Sequence, residues 1–169
     1  MAIEIRKGTL RDTEDFIHLL QIVQEGMENK AWFYLDPPQH VRDMMTDGTM
    51  QLWVAIDGNH LAAAFDILVP GFESFNYGYD LGLSKKELLR VVNMDTVAVH
   101  PDYRGLGLQN SLMQKAEAEI LKRGNRILLC TVHPENTFSL NNILCQGYTI
   151  EAELPKYGSV RYVLRKDIP

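Results

Sequence analysis

Residues 96–117 read TVAVHPDYRGLGLQNSLMQKAE: an apolar strand, a polar turn with two glycines, and the start of an amphipathic helix. Gly105 and Gly107 allow the backbone to take a positive φ and to approach a bound group closely. Successive amides in such a turn point toward one centre, and the N-terminus of the following helix adds partial positive charge. The stretch therefore predicts an anion-binding loop, to which Arg104 adds a charged contact, or an ordinary tight turn.

Two well-known phosphate loops do not fit this turn. A Walker loop requires Lys-Ser or Lys-Thr after its last glycine, and neither pair follows Gly107. A dinucleotide-binding fingerprint requires a third glycine, where this chain has Asn110, and it follows the first strand of its fold. If the turn binds an anion, it therefore belongs to neither of these two phosphate-binding motifs.

The strands at 91–99 and 126–132 flank a helix predicted from about 106 to 122, so they form a β-α-β unit with parallel strands and a right-handed crossover. The other elements are predicted as an opening strand (2–8), a helix from Thr9, a short helix after Pro37-Pro38, a hairpin (50–69), short helices (84–91 and 136–146) and a closing strand pair (148–154 and 160–166). This order predicts a single α/β domain over 1–169 with a mixed sheet.

The composition excludes several classes of function. Hydrophobic residues make up 46% and charged residues 23%, as in a folded soluble domain, and the net charge of -5 argues against a nucleic-acid binder. No apolar run reaches the roughly 20 residues that span a bilayer, and the charged N-terminus does not resemble a signal peptide. The two cysteines form neither a disulfide framework nor a metal-binding CxxC pair, which favours the reducing cytoplasm and no metal site.

Two segments resemble motifs of the GNAT superfamily of acyl-CoA-dependent N-acyltransferases. The residues that match its glycine-loop motif are Val99, Pro101, Tyr103, Arg104, Gly105, Gly107 and Leu108. The residues that match a second motif, further along the chain, are Asn136, Ser139, Leu140, Gly147 and Tyr148. Both motifs stand at the expected separation within a matching order of elements.

This resemblance implies a GNAT fold, a central mixed sheet with splayed parallel strands flanked by helices, and acetyl-CoA as cofactor. It implies that amides of the 104–110 loop hold the pyrophosphate of coenzyme A, namely those of Arg104, Gly105, Leu106, Gly107, Leu108, Gln109 and Asn110. The backbone of Val97 and Val99 would bond the pantetheine arm, and Asn136 and Ser139 would contact it from the other side.

The chain departs from the superfamily pattern at two positions. Gln109 replaces a small residue, but the loop needs only its backbone amide. A side chain there is harmless if the backbone is helical and the side chain points outward, so we expect binding to be retained. Ile143 replaces a tyrosine that serves many relatives as general acid. The candidate substitutes are Tyr148, Tyr157, His133 and Cys145. Alternatively, a thiolate of pKa about 8.5 leaves without an acid.

Acyl transfer to an amine needs a base and a donor for the developing oxyanion. The resemblance assigns the oxyanion donor to the backbone amide of Val97. Asn93 occupies a place where some relatives have glutamate, and Asp95 shares its strand face, so Asp95 is the candidate base; the alternative is a buried carboxylate that bonds a neighbouring loop. Glu73 is the second candidate.

The acceptor site is less well defined by the sequence. The loops 26–38 and 70–83 are rich in aromatic residues that frame a small organic substrate, form a homodimer interface or belong to the core. These residues are Trp32, Phe33, Tyr34, Phe75, Tyr77 and Tyr79. Arg161 is a candidate for a substrate carboxylate, with a salt bridge on the sheet face as the alternative.

These observations predict a cytoplasmic enzyme that transfers acetyl from acetyl-CoA directly to a primary amine of a small molecule, without nucleic acid or membrane as partner. The alternatives are a protein N-acetyltransferase, a non-catalytic acyl-CoA sensor of the same fold, which Ile143 permits, and an enzyme that binds nucleotide phosphates in the same loop.

Overall fold

The computed structural model describes residues 2–169, which form one twisted sheet with helices on both faces. The strands are β1 (Glu4–Lys7), β2 (Met50–Asp57), β3 (His60–Leu68), β4 (Val91–Val99), β5 (Ile127–Val132), β6 (Thr149–Lys156) and β7 (Ser159–Asp167). The helices are α1 (Thr13–Glu25), α2 (Pro38–Asp47), α3 (Lys85–Leu88), α4 (Leu108–Arg123) and α5 (Thr137–Cys145).

The seven strands lie in the order β1-β2-β3-β4-β5-β7-β6. Only β4 and β5 run parallel among the described strands, and every other neighbouring pair is antiparallel. The predicted mixed sheet and the predicted β-α-β unit are therefore confirmed. The closing strands do form a hairpin, but β7 enters the sheet between β5 and β6.

The two parallel strands separate after a short paired segment. The pairing joins Val91–Asn93 to Ile127–Leu129, and the carboxyl-terminal half of β4 has no partner on that side. On its other side β4 carries a bulge, because Phe65 pairs with Val97 while Ile67 pairs with Met94. A bulge bends the strand and changes the direction of its side chains, so β4 turns away from β5 and a gap opens between them.

Apolar side chains from both faces of the sheet build the core. On one face α4 contributes Leu112, Ala116 and Ile120, all buried against the central strands. On the other face α1 and α2 contribute Phe16, Leu20, Val41 and Met44. Burial on both faces explains why the central strands read as nearly continuous apolar runs.

Helix boundaries differ from the sequence-based expectation at three places. The helix predicted from Thr9 begins as α1 at Thr13, after a 3-10 turn at Leu10–Asp12. Helix α4 begins at Leu108 rather than at 106, because Gly107 precedes it in the left-handed conformation with a φ of 70°. The helix predicted over 84–91 is a single turn, capped by reciprocal bonds between Ser84 and Glu87. No helix in the described part of the chain is long and apolar enough to cross a membrane.

Candidate active site

The glycine turn and the N-terminus of α4 present unpaired amides at the open end of β4. Gly105 and Gly107 have φ values of 79° and 70°, a region that favours glycine, although a Cβ at either position would meet no neighbour within 4 Å. Backbone conformation, rather than lack of space, therefore requires glycine at both. The amides of Gly105, Leu106 and Gly107 have no hydrogen-bond partner among residues 2–169. This geometry suits an anion.

A cavity of about 700 Å³ fills the gap between the diverging strands. One end is lined by Arg104, Gly105 and Gln109 of the glycine turn and by α5. The other end reaches the segment 26–36 that precedes α2 and the turn between β6 and β7. The cavity therefore connects the unpaired amides to a second region that is enclosed by loops.

Aromatic side chains form much of the loop-enclosed end. From the two loops that the sequence singled out, Trp32, Phe33, Tyr34, Phe75 and Tyr77 line the cavity. Tyr79, in contrast, is exposed and its hydroxyl donates to the carbonyl of Phe72. Most of the predicted aromatic residues thus border one space, although they come from separate segments of the chain.

Tyr157 closes this end of the cavity from the β6–β7 turn. Its φ of 56° is unusual for a bulky residue, and Gly158 follows at 73°, as in a two-residue hairpin turn with both central residues at positive φ. The ring stacks on Tyr34 with 4.4 Å between centroids. The turn conformation thereby holds the Tyr157 hydroxyl 2.8 Å from that of Tyr77.

Asp95 lies at the β4 bulge and its side chain borders the cavity. The Tyr77 hydroxyl donates to its Oδ1 at 2.7 Å, and the Thr96 hydroxyl donates to its Oδ2 at 3.3 Å. Burial raises the pKa of Asp95 to about 6, because loss of solvation outweighs the Tyr77 hydrogen bond that favours the ionised form. At neutral pH the carboxylate is ionised and can accept a proton.

A second carboxyl group, Asp66, lies opposite the bulge on β3 and was not singled out from the sequence. It is fully buried, and neither oxygen forms a hydrogen bond within the described part of the chain. Burial, followed by the charge of Asp95, raises its pKa well above the usual range. The only sequence signal was an aspartate inside the apolar run of β3, LAAAFDIL.

The remaining candidates for acid or base take different places. Glu73 is exposed and lies outside the cavity lining, so the structure does not place the second candidate base near Asp95. Asn93 is buried, accepts from the amide of Tyr77 and donates to the carbonyl of Phe75, which fixes the loop that carries Tyr77. The His133 ring accepts from the amide of Glu135 in a turn.

Ile143 lines the cavity at the position of the missing tyrosine. Tyr148 is buried elsewhere, with its hydroxyl near Glu117, and Cys145 is exposed on α5. Of the four suggested substitutes for a general acid, Tyr157 is the one that lines the cavity. Asn136 and Ser139 also line it, and the Asn136 side chain caps α5 by accepting from the amide of Ser139.

Gln109 meets one of the two conditions under which a side chain at this position is harmless. Its backbone is helical, as expected, but its side chain is buried and lines the cavity instead of pointing outward. Its Oε1 lies 3.5 Å from the Nδ2 of Asn142, so the side chain packs toward α5. The inward orientation arises because α5 lies across the first turn of α4, which the sequence of the turn does not reveal.

Arg161 does not form the expected salt bridge on the sheet face. It is 4% exposed, borders the loop-enclosed end of the cavity, and donates to the carbonyls of Ala31 and Trp32. Its Nε is buried without a partner. Burial lowers its pKa, as expected for a cation removed from water.

Solved structures with the same fold come from several organisms. The Salmonella typhimurium protein yncA, solved with acetyl-CoA, is 14% identical, with 99% of this chain and 94% of that chain covered at a TM-score of 0.75. The PaiA N-acetyltransferase of Thermoplasma acidophilum, solved with coenzyme A, is 13% identical over 99% and 100% at a TM-score of 0.67.

A ribosomal-protein-alanine N-acetyltransferase of Brucella melitensis is 17% identical, with 98% of this chain and 99% of that chain covered at a TM-score of 0.73. A sequence search of curated proteins finds no match. The family model for the acetyltransferase (GNAT) family matches residues 16–143, which is most of the chain. The fold, the glycine turn and this match together establish that the chain belongs to the GNAT family of acetyltransferases.

Proposed function

We propose that residues 1–169 act as one domain that transfers acetyl from acetyl-CoA to a primary amine of a small molecule. The observation that carries this proposal is the continuous cavity in the gap between β4 and β5. It joins the unpaired amides of the glycine turn to the buried carboxylate of Asp95. A long cofactor arm and a small acceptor therefore have room to meet inside it.

The residues at the open end fit coenzyme A. Free amides in a glycine turn and a helix N-terminus favour a pyrophosphate, and Arg104 adds a positive charge beside them. Val97 and Val99 border the gap where β4 lacks a partner strand, so their backbone groups are available to an extended pantetheine arm. When bound, acetyl-CoA supplies an activated acyl thioester.

Asp95 is the proposed base. An amine of pKa near 10 reaches the site mainly as an ammonium ion, and it must lose a proton before it attacks a carbonyl. With a pKa of about 6, Asp95 is ionised at neutral pH and accepts that proton. The hydroxyls of Tyr77 and Tyr157 extend from Asp95 as a hydrogen-bonded chain, which fixes the orientation of the carboxylate.

The other half of the reaction needs an oxyanion donor and an exit for the thiol. We assign the donor to the backbone amide of Val97, which is the next position after the bulge. Ile143 cannot donate a proton to the leaving thiolate. Tyr157 is the hydroxyl-bearing substitute in the cavity, although burial raises its pKa, and a thiolate of pKa about 8.5 also leaves without assistance.

The shape of the loop-enclosed end favours a small acceptor over a protein. Tyr34 and Tyr157 stack across it, and Trp32 and Phe33 line it from the same segment. A flexible protein tail would need these side chains to separate, because a chain that threads through the cavity requires an open groove. The Brucella melitensis relative is named for a protein acceptor, so the fold itself is compatible with a protein acceptor.

The proposal is tested by following thiol release from acetyl-CoA with a panel of small amines and with short peptides that have free N-termini. Turnover of a small amine with kcat/KM well above that of every peptide supports it. Coenzyme binding without turnover of any acceptor would instead support an acyl-CoA sensor. Binding of ATP but not of coenzyme A, measured by calorimetry, would contradict the assignment of the glycine turn.

A further inference from the structure

The buried guanidinium of Arg161 has no anionic partner among residues 2–169. None of the ion pairs in the described chain includes it, and its only hydrogen bonds go to the carbonyls of Ala31 and Trp32. A guanidinium carries five N–H donors, of which those two bonds use only part. A cation on a buried residue is unfavourable unless an anion compensates it, and Arg161 is buried.

Anchoring the 31–32 segment does not by itself account for a charged group at this position. Backbone carbonyls are neutral acceptors, and a neutral amide side chain could bond them without the desolvation cost of a cation. The Tyr157 ring, 6.0 Å from the guanidinium carbon, provides a weak cation–π contact. The charge therefore remains unexplained by the contacts within the chain.

Arg161 and Asp95 border the same cavity on opposite sides of the two tyrosines. Tyr157 contacts Arg161 through its ring and contacts Tyr77 through its hydroxyl, and Tyr77 in turn donates to Asp95. An acceptor whose amine lies at Asp95 therefore extends past Tyr157 toward Arg161. The loop-enclosed end thus has one carboxylate at the proposed reacting position and one unpaired cation beyond it.

We infer that the acceptor carries a carboxylate as well as its amine, and that Arg161 binds this carboxylate. The substrate class is then a free amino acid or a related amino acid with a longer spacer. A planar guanidinium binds a carboxylate by two parallel hydrogen bonds, which favours this anion at a buried site. This inference rests on the proposed function, since it names the class of small amine that the enzyme acetylates.

A neutral or purely cationic acceptor would leave Arg161 uncompensated. Glu28, Asp36 and Asp95 also line the cavity, and they would suit a diamine or polyamine. Asp36, however, already has a hydrogen-bond partner in the His40 ring at 3.2 Å, and Asp95 has its hydroxyl donors. Glu28 is exposed, so water solvates its charge, and the acceptor's own amine lies at Asp95 in the proposed reaction. Arg161 is then the buried charge that lines the cavity without a partner of opposite charge.

The test compares three forms of each acceptor: the free acid, its carboxamide and the decarboxylated amine. Leucine, phenylalanine, lysine and 4-aminobutyrate form the panel, and the carboxamides mimic the N-terminal residue of a protein. We expect kcat/KM for the best free acid to exceed that of its two analogues by about 30-fold or more, the usual effect of a charge-assisted bond in a desolvated site.

Arg161→Met should reduce that preference to within about threefold by lowering turnover of the free acid, and Arg161→Lys should restore part of it. Arg165→Met is the matched control, because Arg165 lies on the same strand, outside the cavity lining, and pairs with Asp167. Coenzyme affinity and melting temperature of each variant report whether it is folded.

The outcomes separate the inference from the proposed function. Equal turnover of acids, carboxamides and amines by the unaltered protein would overturn the inference, and so would a preference for diamines or carboxamides. Preference for the acid that survives Arg161→Met in a folded protein would overturn the role of Arg161. If no acceptor is acetylated although coenzyme A binds, the proposed function fails and the inference falls with it.

Discussion

Replacement of Tyr77 by phenylalanine should move the acid limb of the pH–rate profile to higher pH. The Tyr77 hydroxyl donates to Asp95 at 2.7 Å and stabilises its ionised form against the effect of burial. Without this donor the carboxylate is less stable, so the pKa of Asp95 rises further above its ordinary value. The substitution keeps the ring, which packs among the buried residues of the loop and β5.

The size of the shift follows from the strength of the lost bond. A hydrogen bond to a charged group contributes about 1.5–3 kcal/mol, and one pKa unit corresponds to about 1.4 kcal/mol. The acid limb should therefore move up by about one to two pH units. In the unaltered enzyme kcat/KM for the acceptor should rise through a pH of about 6, where Asp95 loses its proton.

The assay is thiol release at limiting acceptor, measured between pH 5 and pH 9. Near pH 6.5 the variant should be about ten times slower than the unaltered enzyme, and the difference should narrow toward pH 9, where Asp95 is ionised in both. Tyr79→Phe is the matched control, because Tyr79 lies on the same turn and its hydroxyl bonds a carbonyl away from the cavity. An unmoved acid limb, or a loss of rate that is equal at every pH, would refute the assignment of Asp95 as a base supported by Tyr77.

Three further predictions concern single positions. Gly107→Trp should abolish binding of coenzyme A, measured by calorimetry. Gly124→Trp is the control and should keep binding, because Gly124 lies at the other end of α4, also has a positive φ and also has no neighbour within 4 Å of a Cβ. Retained affinity in Gly107→Trp would exclude the glycine turn as the pyrophosphate site. Asp95→Asn should lower kcat by about 100-fold or more with little change in coenzyme affinity, because an amide cannot accept the proton, and an unchanged rate would exclude Asp95 as base. Asp66→Asn should make the protein more stable relative to the parent at pH 8 than at pH 5. Because the pKa of Asp66 is raised in the folded parent, the folded protein keeps a proton that the unfolded chain releases above about pH 4. The free energy of unfolding of the parent therefore falls by up to about 1.4 kcal/mol per pH unit until the pH reaches the folded pKa. Chemical denaturation at pH 5 and pH 8 measures the free energies of unfolding of variant and parent. If the difference between the two proteins is the same at both pH values, the prediction is wrong.

The order of elements and the glycine turn were predictable because they depend on local interactions. Alternation and apolar runs identified the strands, and positive φ at Gly105 and Gly107 is a property of those residues and their neighbours. The parallel pairing of β4 and β5 also followed, since a long helical connection returns the chain to the end of the sheet at which the first strand began. The bulge and the early end of the β4–β5 pairing did not follow, because both depend on the register with β3 and β5.

Side-chain roles in the site were predictable only in part. Asp95 and the aromatic loops were identified as candidates, and the structure brings them to one cavity. The sequence did not reveal that Tyr77 and Tyr157, 80 residues apart, form a hydrogen bond between their hydroxyls beside Asp95. It also did not reveal the isolation of Asp66, the inward side chain of Gln109 or the exposure of Glu73.

By itself, the sequence determined the class of the fold and the backbone conformation of the glycine turn, because turn conformation and the start of a helix are encoded within a few neighbouring residues. The tertiary structure alone decided which groups are charged, buried and adjacent in the cavity. Asp95 owes its raised pKa to burial, and no carboxylate of the described residues folds against Arg161. Solvation and charge pairing depend on contacts between distant segments, so they exist only once the chain has folded.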